Sequence, residues 1–200
     1  DSVDDLHGRT GLQRYELGVL AAAGARAGIA GHRFRARWEV AGTEPMLPLL
    51  PVSGVAEGIP LLRAPTEAED ISGDYASTGL SLGRHPLALL RGELQRQGFV
   101  TAEDLREMAG DDPVRVAGLV ITRQRPGSAG GVIFVTLEDE TGHVNLIVWP
   151  QLAERQRQVL LGSRLLAVRG RMQRQGDVLH VIVSSAEDRS AALGALDVRS

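Results

Sequence analysis

Between residues 113 and 185 apolar and polar side chains alternate with a period of two, the signature of strands with one buried face. Val114–Arg123 alternates around Gly118, where a long first strand would bend. Val132–Glu138 makes a second strand, and Asp139-Glu140-Thr141-Gly142 a tight hairpin turn with Gly last. His143–Trp149 is the third strand. Pro150 opens a helix running to about Val159, with Pro at its first position. Arg164–Arg174 and Val178–Val183 are the fourth and fifth strands, joined by Gln175-Gly176-Asp177. Three strands, a helix and two more strands in roughly 70 residues is the order of a five-stranded oligonucleotide-binding (OB) barrel.

Upstream the period changes. Ser2 can cap a first short helix with Asp4 and Asp5 in its first turn. Further helices are predicted over Gln13–Ala23 and His32–Ala41, the latter with Phe34, Trp38 and Val40 as its core stripe. From Gly42 to Gly73 no period survives, and prolines at 45, 48, 51, 60 and 65 suggest a linker along a surface. Regularity returns at Tyr75–Gly79, then in helices over Pro86–Gln97 and Thr101–Met108, where Thr101 and Asp104 form a capping box. Asp111-Asp112-Pro113 closes the linker. The fold class is therefore α+β. A helical segment (1–42) and a Pro-rich linker with two short helices (43–112) precede the OB barrel (113–185) and a small polar tail (186–200). The chain starts at Asp1 without an initiator Met and reads as a segment of a longer protein.

Strand parity sorts the candidate site. Ile133, Val135 and Leu137 face the core, as do Val144, Leu146 and Val148; Phe134, Thr136, Asn145, Ile147 and Trp149 face outward. In OB folds the outer face of strands two and three, with the loops joining strands 1–2 and 4–5, carries the ligand. Outward aromatics near Arg suit stacking of bases, although Phe134 or Trp149 packed under a neighbouring element would fit the same pattern. Arg123 and Arg125 lead into the 1–2 loop. Arg169 and Arg171 share the non-core parity of strand four, and Arg174 begins the 4–5 hairpin. Both groups are expected to border one cleft and contact phosphate. The net charge of −3 conceals this concentration: residues 113–183 hold nine Arg against five carboxylates (+4), the rest 13 against 20 (−7). No Lys occurs; coding bias in a GC-rich genome is the simpler reading of that.

Several chemistries are set aside. With no cysteine there are no disulfides, thiolate zinc sites or cysteine nucleophiles. The Gly-rich run 127–131 lacks a Gly-Lys-Ser/Thr ending and leads into a strand, so it is a hairpin loop rather than a phosphate cradle. Glu138, Asp139 and Glu140 alternate in direction, and Asp139 reads as the turn initiator. Histidines 7, 32, 85, 143 and 180 have no metal-ligand spacing. No catalytic residue, metal site or cofactor is expected in this chain. No apolar run approaches the ~20 residues of a membrane span, so a soluble, cytoplasmic chain is expected.

The runs GLVITRQRPGSAGGVIFV, TLEDETGHVNLIVWP and RLLAVRGRMQRQGDVLHVIV closely resemble the OB domain near the C-terminus of DnaE-type polymerase α subunits, above all their error-prone, damage-induced paralogue, ImuC. DYASTGLSLGRHPLALLR resembles the stretch before that domain, and SVDDLHGRTGLQRYELGVLAAAGARAGIAGHRFRARWEVAG the helical segment following a helix-hairpin-helix unit. The resemblance implies single-stranded DNA as ligand and error-prone translesion synthesis by the intact DNA polymerase. It also implies Mg and catalytic carboxylates in a palm domain far upstream, and ImuA and ImuB as partners. The alternatives are a barrel docking a partner protein through Phe134 and Trp149, or an RNA-binding OB domain of the anticodon-gripping kind.

Overall fold

The computed structural model describes residues 6, 9–25, 27–42, 61–79, 81, 83–176 and 178–194. The chain divides into two units, Asp1–Gly83 and Arg84–Arg199. The predicted cap at Ser2, most of the Pro-rich stretch and the end of the tail lie outside the described residues.

In the first unit, α1 (Arg14–Ala22), α2 (Ala27–Ala30) and α3 (Arg33–Gly42) enclose a small core of Leu17, Ala21, Ala30, Ala36 and Val40. The expected stripe on α3 is only one-third right. Val40 is buried, but Phe34 is half-buried and Trp38 is 50% exposed. Phe34 and Trp38 form one i,i+4 pair and Ala36 and Val40 another, and the core takes the pair whose small residues let α1 approach closely. Arg33 is buried as well. Its guanidinium donates to the Asp70 carbonyl (2.9 Å) and to the Asp74 carboxylate, on α4 (Glu67–Thr78). A Cβ at position 73 would overlap that guanidinium, so Gly73 is the hole into which Arg33 fits.

Helix α4 occupies ground that the hydropathy pattern assigns to linker, because few apolar residues mark it. Its start is set by polar chemistry. Thr66 and Glu69 form a reciprocal capping box, and a hydrogen bond from Arg63 helps hold the Glu69 carboxyl down at about 2. The span 61–112 thus holds three helices rather than two short ones: α4, α5 (Pro86–Arg96) and α6 (Ala102–Glu107).

The second unit is built on a closed barrel of β1 (Pro113–Gln124), β2 (Ile133–Asp139), β3 (Gly142–Val148), β4 (Leu165–Gln175) and β5 (Val178–Asp188). Their order is β1-β2-β3-β5-β4. β1 pairs with β4 through residues 113–119 and with β2 through 119–124. Gly118 sits where the two pairings meet, and a Cβ there would lie 2.8 Å from Leu137 Cβ and 2.9 Å from the Glu138 carbonyl. Strand five outlasts its predicted end at Val183. The Gln156 side chain holds it by two 2.8 Å hydrogen bonds with the backbone N–H and carbonyl of Ala186, so the tail begins only after Asp188. At Gln156 the expected single helix breaks into α7 (Pro150–Arg155) and α8 (Arg157–Gly162). No helix among the described residues is long and apolar enough to cross a membrane.

Asp139 ties the barrel to α6. It is buried, and Oδ1 accepts from the N–H groups of Thr141 (2.8 Å) and Gly142 (3.0 Å) and from the Thr141 hydroxyl (2.7 Å). Oδ2 accepts from Ala102 N–H, the first residue of α6, at 2.7 Å. Arg91 on α5 approaches at 3.5 Å and also pairs with Glu140. Asp139→Ala leaves this set of donors unpaired and should lower unfolding free energy by about 2–4 kcal/mol, read from urea denaturation.

His85 caps α5 through Nδ1, which accepts Leu87 N–H at 3.2 Å, while its Nε2 is buried without a protein partner. Burial holds its pKa below the ordinary 6.5, against the pull of Glu138, Glu140 and Asp139, with Arg91 adding to the lowering. The unfolded chain therefore takes up the proton first, and stability falls as pH drops below ~6.5 until the folded-state value is passed. His85→Asn keeps a capping side chain and should flatten the denaturation midpoint between pH 7.5 and 5.5.

Candidate nucleic-acid interface

The alternation assigned to β2 and β3 holds. Val135, Leu137, Val144, Leu146 and Val148 are buried; Phe134 is 37% and Trp149 53% exposed. Register places the outward residues in two rows across the sheet. One runs Gln124, Phe134, Ile147, Ile182; the other runs Thr122, Thr136, Asn145, His180. With strands ~4.8 Å apart, each row is a strip of roughly 14 Å, the first apolar from Phe134 onward and the second polar.

The polar row has a direction. Thr122 Oγ1 donates to Thr136 Oγ1 (3.1 Å), which donates to Asn145 Oδ1 (3.2 Å). Asn145 is exposed, and acceptance through Oδ1 leaves its amide N–H2 group as its donor. Trp149 ends the same face, at the N-cap of α7. The register thus puts Phe134 and Asn145 on one face with Gln124 and Thr136, and Trp149 is exposed just past the end of β3.

The arginines do not gather as expected. A register shift between Val120 and Thr122 puts Arg123 opposite Val135, on the core parity. Its guanidinium points under the barrel, donating to the Leu160 carbonyl (2.6 Å) and to that of Ser163, at the C-terminal end of α8. Burial lowers its pKa, and the carbonyls compensate the charge. Arg174 has the parity of buried Met172 and donates to the Arg106 carbonyl at the end of α6 (2.8 Å). Arg169 and Arg171 are exposed on β4, which neighbours neither β2 nor β3. Arg169 lies in a separate depression with Phe99, Ser185 and Glu187. Of the five, Arg125 alone stands beside the Phe134 row with no hydrogen bond or ion pair among the described residues. It lines a cleft with Gln124 and Ile133, the neighbours in register and sequence of Phe134, and with Arg157 of α8.

Gln124 and Arg157 escape the sequence reading for different reasons. The bulge that turns Gln124 outward has no sequence mark, and Arg157 belongs to a helix whose break at Gln156 is a tertiary effect. Among the described residues no group of three or more His, Asp or Glu could hold a metal ion.

Residues 114–189 match the family described as OB-fold nucleic acid binding domain. The barrel is an OB fold. Over nearly its whole length the chain is similar to error-prone DNA polymerases. It is 53% identical over 198 residues to that of Alkalilimnicola ehrlichii (99% of this chain, 19% of the relative). It is 52% identical over 199 residues to that of Methylococcus capsulatus (100% and 19%). The chain spans about a fifth of the length of these curated relatives. Among solved structures, asparaginyl-tRNA synthetase from Pyrococcus horikoshii aligns at 24% identity with a TM-score of 0.37, over 46% of this chain and 22% of that one.

Arg123 and Arg125 should separate by assay. Arg123→Ala leaves helix-end carbonyls bare and should cost about 1–3 kcal/mol of stability in urea denaturation. Arg125→Ala should leave stability unchanged and lower the salt slope of oligonucleotide binding by about 0.7.

Proposed function

We propose that this chain is the single-strand-holding part of an error-prone DNA polymerase, its barrel gripping template DNA during translesion synthesis. The observation that carries this is the outward ring of Phe134, flanked by the exposed Asn145 amide and by Trp149, on the OB face. Stacking serves any base, since every base has a π-face, and suits copying of altered templates. Contacts to phosphate through Arg125 would position the strand without reading it. The chain itself adds no nucleotides on this reading. Template-directed chemistry, its Mg, and contacts with ImuA and ImuB belong to the longer cytoplasmic protein it resembles.

With few cations beside the aromatic strip, binding should be weak and shallow in salt, with a slope of about −0.7 per phosphate contacted. Fluorescence anisotropy with labelled single- and double-stranded oligonucleotides at several salt concentrations tests this. Single strands should bind in preference to duplex. Phe134→Ala should cost ~1–3 kcal/mol of single-strand affinity and little stability. Intact binding with a stability loss of about 3–5 kcal/mol would mean a core ring and would sink the proposal. Nucleotide addition by the chain alone would sink it too.

A further inference from the structure

Around the corner from the aromatic strip lies a cleft of about 340 Å³, walled by the end of β1, the start of β2 and the helices α7 and α8. Its apolar lining is Ile133, Pro150, Ala153 and Leu161, the last 53% exposed. Arg125 and Arg157 stand on it, both exposed and neither with a hydrogen bond or ion pair among the described residues. Glu154 is its carboxylate. Arg123 also contributes, but its guanidinium is committed to the α8 carbonyls.

Resting on the reading above, we propose that this cleft is a second nucleic-acid subsite. An unstacked base of the single strand enters it, with Arg125 and Arg157 on the adjoining phosphates. Three features fit that occupant. The volume lies at the small end of ligand sites, enough for a nucleotide but not for a folded partner's helix. An apolar lining with two unpaired guanidiniums complements a base and its phosphate, since Arg presents a planar fork to phosphate oxygens. The cleft also borders the outward row, because Gln124, the register partner of Phe134, lines it. A strand crossing Phe134 passes over Gln124 into it. The exposed arginines of β4, Arg169 and Arg171, stand on a strand that neighbours neither β2 nor β3 and lie away from this path.

The test uses the full 200-residue chain and a labelled single-stranded oligonucleotide of about 12 nucleotides. Arg157→Glu should weaken binding about five- to tenfold at 0.1 M salt and lower the salt slope by about 0.7. Glu154→Gln should tighten binding about two- to threefold by removing like-charge repulsion, a gain that misfolding does not mimic. Phe134→Ala is measured alongside. If it weakens binding while neither cleft variant changes it, the subsite is overturned and the outer-face reading stands. If the cleft variants act and Phe134→Ala does not, the cleft stands and the outer-face reading falls. A wild-type chain that binds no oligonucleotide overturns both.

Discussion

In a closed barrel every strand has two neighbours, and β1 meets its two in succession along its length. Its first half pairs with β4 and its second with β2, and its register against β2 slips near Ile121. The slip exchanges faces. Thr122 and Gln124 turn outward into the two rows, and Arg123 turns in. A guanidinium directed at a barrel end is costly unless carbonyls receive it. Helix α8 supplies them by ending where Leu160 and Ser163 accept from Arg123. The position of the helix, the closure of the barrel and the composition of the binding face are thus one solution.

The basic excess of residues 113–183 therefore overstates the positive field at the proposed site. Arg115 donates to the Gln97 carbonyl (2.7 Å) and lies over the Phe99 ring, 4.9 Å from its centroid. Arg123 and Arg174 hold helix-end carbonyls, and Arg155 donates to the Gln151 carbonyl at 3.3 Å. The same use recurs in the first unit, where Arg33 holds Asp70 and Asp74. In a chain without lysine, arginine takes on structural work, for which its five donors and planar fork are suited.

What the sequence made legible follows from local rules. Period two identified the barrel strands and sorted β2 and β3 correctly, because a one-residue error there would expose Ile133, Val135 and Leu137 together. Pro150 and the Thr101–Asp104 box marked helix starts that the structure retains. Asp139 was legible as a turn residue but not as the acceptor for Ala102, 37 positions away. The alternation read along β1 is interrupted between Val120 and Thr122, and nothing in the sequence marks that bulge. Helix α3 misled because composition favours the large aromatics as core, whereas close packing against α1 favours alanine. Arginine roles were illegible for a related reason: a charge at a loop mouth and a charge under a helix end have the same local sequence.

On the proposed reading, the division of labour among side chains has a kinetic consequence. Coulombic attraction to phosphate is long-ranged but screened beyond ~8 Å at physiological salt, while stacking acts only on contact. A face with many free arginines would gather nucleic acid and release it slowly. This face instead offers an aromatic strip, one oriented amide and few unpaired cations near it, so most of its affinity arises after a base has been seated. Such a surface recruits poorly by itself. It holds a strand already delivered to it and lets that strand advance one base at a time, because each step exchanges one stacked base for the next at nearly equal free energy. That is the behaviour the proposed reading calls for beside a moving template.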